Sequence, residues 1–215
     1  KDKSVRDDVI NTCGKLIPLA DPSGTWMSKS YHKVNSVLHA LQKNGGKINC
    51  FHAINTVATH LTNENMTPAI CYVFSKKHLD LCANKVTVNL LEFDSKIPYT
   101  IDHDCESIIR KMPNFNEYLK MPEYIRVVHL LQKGIGIHHA GMIPVLREMI
   151  EILFARGKIK LLFATETVSV GLNLPVKTTI FTDITKFDGN QFRVLKPHEY
   201  TQAAGRAGRL GLDDV

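Results

Sequence analysis

The apolar positions of this chain fall into blocks whose period switches between that of a helix and that of a strand. Val34, Val37, Leu38 and Leu41 recur at helical spacing, predicting a helix over residues 34–41. That stretch is flanked by the turn formers Asp21-Pro22-Ser23-Gly24 and Asn44-Gly45-Gly46. From Pro68 the character changes. Ala69-Ile70-Cys71-Tyr72-Val73-Phe74 is a continuous apolar run with β-formers, and Leu79, Leu81, Cys82 and Val86 then predict a helix capped by Ser75. The succession returns at Gly134-Ile135-Gly136-Ile137-His138-His139, followed by a helical pattern from Pro144 to Arg156. Pro144 suits its first turn and Gly157 its C-terminal stop. It returns again at Ile159 to Thr165, before a short helical stretch. A further strand is predicted over Thr178 to Asp183 and a helix over His198 to Gly208.

Strands alternating with helices predict an α/β domain with a mostly parallel sheet covered on both faces. Residues 1–66, mixed in polarity and rich in turns, read as a connector with short helices. Residues 67–215 read as the domain proper, interrupted at about 93–133 by short helices around Pro98, Pro113 and Pro122. In such sheets ligands bind beyond the carboxyl ends of the strands. The residues placed there are Ser75-Lys76, His138-His139-Ala140-Gly141, Thr165-Glu166-Thr167, and Asp183 onward. The small residues Ala140, Gly141, Ser169 and Gly171 would let a ligand come close at two of those ends.

Composition adds bounds rather than detail. With 215 residues, 44% hydrophobic and 22% charged, the chain matches soluble globular proteins and has room for one domain plus an extension. No apolar run approaches a membrane span, and Lys1-Asp2-Lys3 leads into no signal-like stretch, so an intracellular protein without a membrane partner is expected. The first residue is not Met, and the chain is expected to be a piece of a longer protein. Five scattered cysteines form no CxxC pair, so neither a disulfide framework nor a zinc cluster is suggested, and Cys50, His52 and His60 lack a second Cys/His pair at metal spacing. The net charge of +6 permits a polyanionic partner without demanding one.

The most specific chemistry lies in Gln202-Ala203-Ala204-Gly205-Arg206-Ala207-Gly208-Arg209. On a continuous helix Gln202, Arg206 and Arg209 would fall at i, i+4 and i+7, lining one stripe with an amide and two guanidinium groups. Two arginines without a nearby carboxylate, beside glycines that permit close approach, form a donor set for a phosphate or its transition state. The chain holds no GxxxxGK[ST] phosphate loop, so the arginines would complete a nucleotide site on a neighbouring domain. Neither a GxSxG elbow nor an HExxH helix is present. Lys186-Phe187-Asp188-Gly189 reads as a plain β-turn.

The segments GIGIHHAG, LFATETVSVGLNLP, KFDG and QAAGRAGRLGLDD, between Gly134 and Asp214, together with PAICYVFSKKHLD at residues 68–80, resemble the second RecA-like domain of superfamily two DExH-box RNA helicases, in particular the superkiller-type group that feeds RNA to the exosome. The resemblance covers about 150 residues and implies a RecA-like three-layer α/β/α fold. It implies that Arg206 and Arg209 are arginine fingers for the γ-phosphate of ATP, with Gln202 near that phosphate and its attacking water. ATP and Mg2+ would be held mainly by a first RecA-like domain, joined in cis and absent from this chain. Gly171, Asn173 and Gly205 would border ATP between the domains. Ser75, Lys76, His138, His139, Gly141, Thr165 and Thr167 would track an RNA backbone, in single-stranded or duplex RNA, without reading sequence.

The function implied is the C-terminal half of an ATP-dependent 3′-to-5′ RNA helicase, inactive alone and partnered by an exosome-like decay machinery. The pattern departs from the group at Ala140, where Ser is commoner, and at Leu210, where another Arg is commoner. For the pair His138 and His139, the competing reading is that one of them packs in the core as the strand ends. Two alternatives stand beside the whole assignment: a DNA helicase of the same superfamily, and a non-catalytic RecA-like module for nucleic-acid binding or assembly.

Overall fold

The computed structural model describes residues 17–21, 23–46, 49–91, 96–166 and 176–208. The chain divides into two compact units, Lys1–Thr56 with Val215, and Val57–Asp214. In the first, helix α1 (Ser28–Lys43) is longer at both ends than the apolar spacing predicts. It stops where Gly45 takes φ +70°, with the Gly46 amide donating to the Leu41 carbonyl at 2.8 Å. Helix α2 (Cys50–Asn63) opens on Asn49, whose side-chain oxygen accepts from the amides of Phe51 and His52.

The second unit is built on strand β1 (Ala69–Tyr72), helix α3 (Lys76–Lys85), helices α4 (Ile97–Ile109), α5 (Phe115–Lys120) and α6 (Pro122–Leu131), strand β2 (Ile135–His138), helix α7 (Pro144–Ala155), strand β3 (Leu161–Ala164) and strand β4 (Thr178–Phe181). A hairpin of β5 (Thr185–Phe187) and β6 (Phe192–Val194) follows, and then helix α8 (Pro197–Ala204). The strands β1 to β4 form one parallel sheet in the order β2-β3-β1-β4; β5 and β6 pair antiparallel, apart from it. The fold is therefore α/β with a parallel sheet, as the alternation predicts.

Every residue of β1, β2 and β3 is buried, so side chains pointing to either side of the sheet are covered. Edge strand β4 is half-buried. Ile70, Tyr72, Ile135, Ile137 and Phe163 form the sheet's share of the core. Leu146, Met149, Ile150, Leu153 and Phe154 supply the inner face of α7. Helices α3, α6 and α7 all pack against β2, and α4 packs on α7. Ile101, Cys105, Ile108 and Ile109 of α4 and Val127, Leu130 and Leu131 of α6 are buried, so the helices of residues 97–131 belong to this core.

The predicted end signals act as written. The Ser75 hydroxyl accepts from the His78 amide and caps α3, and Pro144 opens α7. Gly157, at φ +72°, closes α7 by sending its amide to Phe154 and that of Lys158 to Leu153. The short helical stretch predicted after Thr165 lies mostly outside the described residues.

Among the described glycines, Gly136 in β2 leaves the least room for a side chain. A Cβ there would stand 2.8 Å from Leu162 Cδ1 and 3.0 Å from Ile159 Cδ1, both in the core. Gly136→Ala is expected to lower the unfolding free energy by about 1–3 kcal/mol through overpacking. Urea unfolding followed by circular dichroism measures it, and an unchanged midpoint contradicts this packing.

Candidate functional site

Register places the four strand ends side by side. Tyr72 of β1 stands opposite Ala164 of β3 and Phe181 of β4, and His138 of β2 stands opposite Ala164. The backbone continues this row one residue further. Val73 N–H donates to Ala164 O at 2.9 Å, Thr165 N–H to His138 O at 3.2 Å, and Thr182 N–H to Tyr72 O at 3.2 Å. The segments that follow, carrying Ser75-Lys76, His139 to Gly141, Thr165-Glu166 and Thr182-Asp183, consequently leave from one rim of the sheet. Thr167, Gly171 and Asn173 lie outside the described residues, as does Arg209 together with Leu210.

Within that rim the structure brings Lys76 and Gly141 together: the Lys76 Nζ lies 3.2 Å from where a Cβ on Gly141 would stand. The Gly141 amide donates to His139 Nδ1 at 3.1 Å, which fixes the ring's tautomer with its proton on Nε2. Ser75, Lys76, Ala140 and Gly141 are exposed; Thr165 is buried at the end of β3. Lys76, Gly141 and the surrounding backbone thus form the accessible polar surface, and both histidines sit beneath it.

His138 and His139 are only 4% and 7% exposed. His138 Nε2 is 2.8 Å from Glu151 Oε1 of α7, a partner that the sequence pattern does not single out. Burial pulls both imidazoles below their ordinary value, because a charged ring loses hydration inside. For His138 the hydrogen bond that its ring donates to the Glu151 carboxylate opposes this; for His139 the charge of Asp80 does so. Asp80 itself is paired with Arg126 of α6 at 2.9 Å.

Helix α8 runs beside β4. Its Tyr200 ring lies 5.1 Å from that of Phe181, which in turn stacks on Tyr72 at 5.3 Å. The Tyr72 hydroxyl is buried without a hydrogen-bond partner among the described residues, and burial raises its pKa to about 12 against the lowering effect of the Arg206 charge. This aromatic column ties the end of β1 to the helix that carries Gln202.

The continuous helical stripe expected of Gln202, Arg206 and Arg209 does not form. α8 ends at Ala204, Gly205 is its C-cap, and Arg206 leaves on the following turn. Ala207 pairs with Val176 in a parallel bridge, and Gly208, at φ +91°, donates its amide to Val176 O at 3.2 Å. Gly205 and Gly208 add little helical propensity, and backbone pairing with Val176 takes the place of another helical turn. A Cβ at position 205 would lie 2.9 Å from the Thr201 carbonyl oxygen, so glycine is required there by close approach. Gln202 is exposed and Arg206 half-buried, an amide and a guanidinium presented from neighbouring turns.

A charge cluster that the sequence reading passed over holds the start of α8. Lys186 and Arg193 face each other across the β5–β6 hairpin, where like charges repel. Glu199, in the first turn of α8, resolves this. Arg193 clasps it through two bonds of 2.8 and 2.9 Å, Lys186 Nζ reaches it at 2.8 Å, and the Lys196 amide donates to it at 2.8 Å. These donors hold the Glu199 carboxyl far below the usual carboxylate range. Asp188 makes the predicted turn, accepting from the amides of Asn190 and Gln191 at 3.0 Å.

Comparison with known proteins gives this site a context. The family model described as the helicase conserved C-terminal domain matches residues 101–211. The chain is 42% identical over 153 residues to the DExH-box ATP-dependent RNA helicase DExH11 of Arabidopsis thaliana, covering 71% of this chain and 11% of that protein. It is 41% identical over 159 residues to the exosome RNA helicase MTR4 of Homo sapiens (72% and 14%). Against the antiviral helicase SKI2 of Saccharomyces cerevisiae the figure is 42% over 160 residues (74% and 12%). The chain thus spans less than a fifth of the length of these relatives.

The buried histidines set a pH dependence. An unfolded chain takes up a proton on each ring near the ordinary value of 6.5, whereas the native rings resist it. Stability is therefore fully present above about pH 6.5 and falls as the pH drops below it, by at most about 1.4 kcal/mol per pH unit for each ring. Urea unfolding between pH 7.5 and 5.5 is expected to show this slope, and His139→Gln to flatten it. Equal slopes in the two proteins would contradict the burial of this ring.

Proposed function

The chain belongs to the helicase conserved C-terminal domain family, and from that premise we propose that it is the C-terminal RecA-like half of an ATP-dependent RNA helicase that moves 3′ to 5′ along RNA. The observation that carries this reading is the shared rim. One row of strand ends offers Lys76 and Gly141, and the helix beside β4 with the turn that follows it offers Gln202 and Arg206. In this reading residues 1–66 connect to a first RecA-like domain and residues 67–215 form the second.

Ser75, Lys76, Gly141 and Thr167 take the RNA backbone, a cation and small polar groups suited to phosphate oxygens whatever the base, and buried Thr165 holds the end of β3 beside them. His138 and His139 support that surface from beneath. Arg206, Arg209 and Gln202 face ATP and its Mg2+, which rest mainly on the first domain, with Gly171, Asn173 and Gly205 along the border. The donor set fits a phosphate: a guanidinium and an amide beside a glycine where no Cβ fits. Bound ATP supplies the phosphoryl group whose loss to water separates the two domains. The chain's own part is to bring fixed positive charge to the γ-phosphate as negative charge develops. Domain closure and reopening then shift the RNA along the rim. The name of the MTR4 relative, an exosome RNA helicase, supports RNA as the polymer and an exosome-like decay machinery as the partner.

In the full-length protein, single-stranded RNA is expected to accelerate ATP hydrolysis and DNA to do so less. Arg206→Ala should reduce turnover on the order of a thousandfold while RNA affinity stays within about twofold. Steady-state hydrolysis and filter binding test both halves. Unchanged hydrolysis in Arg206→Ala removes the finger assignment, and equal stimulation by DNA removes the RNA assignment.

A further inference from the structure

Lys186 joins two elements that the proposed function uses separately. Its ammonium lies 2.8 Å from Glu199 in the first turn of α8 and 3.5 Å from Glu166, the residue after Thr165 at the end of β3. Its side chain is only 14% exposed. The two carboxylates belong to opposite sides of the proposed chemistry, one adjoining the RNA rim and the other beginning the helix that leads through Gln202 to Arg206.

The two arms of this bridge are unequal. Glu199 is fixed by four contacts, two from Arg193, one from the Lys196 amide and one from Lys186 itself, so the start of α8 is a firm anchor. Glu166, whose side chain is 46% exposed, is met by the longer arm at 3.5 Å. A shift of the backbone at Thr165-Glu166 draws on the Lys186–Glu166 arm first and passes through the ammonium to Glu199. From Glu199 it travels along one rigid turn of α8 to Gln202, and then to the turn bearing Arg206.

We propose that Lys186 is a positioning residue that couples occupancy of the strand-end rim by an RNA phosphate to the presentation of Arg206. It touches neither polymer nor nucleotide; it sets how strongly the first alters turnover of the second. The inference rests on the helicase reading above. It goes beyond it in assigning the stimulation, rather than the chemistry, to a residue of the hairpin.

The test uses the full-length protein and reads ATP turnover with and without single-stranded oligo(U), the KM for ATP, oligo(U) affinity and the melting temperature. Lys186→Met is expected to cut the RNA stimulation of kcat about three- to tenfold, with RNA-free turnover, KM for ATP and oligo(U) affinity within about twofold. Lys186→Arg should restore at least half of the stimulation, since it keeps a cation between the two carboxylates. Glu166→Gln loosens the longer arm and leaves Lys186–Glu199 in place; it should act in the same direction even if Lys186→Met melts early. Wild-type stimulation in both Lys186→Met and Glu166→Gln overturns the coupling. So does an equal drop with and without RNA, which marks a purely structural role. The two readings separate through the controls: a wild type stimulated by oligo(U) and silenced by Arg206→Ala keeps the helicase reading whatever the Lys186 variants do. A wild type that oligo(U) leaves unstimulated overturns both.

Discussion

A peptide group that loses water on folding must find a partner, and in β1 and β3 it can do so only sideways, because both faces of those strands are covered. That requirement aligns four short parallel strands in a single register and brings their carboxyl ends level. A one-residue slip would turn the buried set of each strand to the opposite side and move Thr165, Val73 and Thr182 out of the row. The rim is thus a by-product of backbone pairing, and the groups that leave from it are positioned by the core.

The row was readable in the residues because its determinants are local and repeated. Apolar runs such as Ala69–Phe74 and Ile159–Thr165 give strands; Ser75, Pro144 and Gly157 give helix ends at the places observed. The termination of α8 was harder. In the sequence, glycine at 205 and 208 points to the close approach of a ligand on a continuing helix; the pairing that ends the helix instead, Ala207 with Val176, joins residues with no pattern in common. Position 206 consequently projects from a turn, where a stripe on a helix was expected.

Glu199 and Lys186 show the same limit at the site. Seen along the chain, Lys186 opens a turn and Glu199 sits in a helix start, both ordinary places for charge. Their meaning arises from hairpin register, which puts Lys186 opposite Arg193 and makes a single carboxylate necessary between them. His138 has a similar history: its partner Glu151 is thirteen residues away on a helix whose apolar face dominates the pattern. Side-chain pairs that bridge elements leave little trace in periodicity, whereas the elements themselves leave a great deal.

The strand order has a further consequence in the time domain. β1 is central, but both of its neighbours, Leu161–Ala164 and Thr178–Phe181, are encoded well downstream. During synthesis the apolar run at Ala69–Tyr72 emerges with both backbone edges open and stays so until most of the unit has left the ribosome. Its closure depends on loops that are long in sequence, which makes sheet formation slow relative to the helices around it. A nascent chain of this design exposes an apolar interior strand longest, and that interval is where chaperone attention would fall.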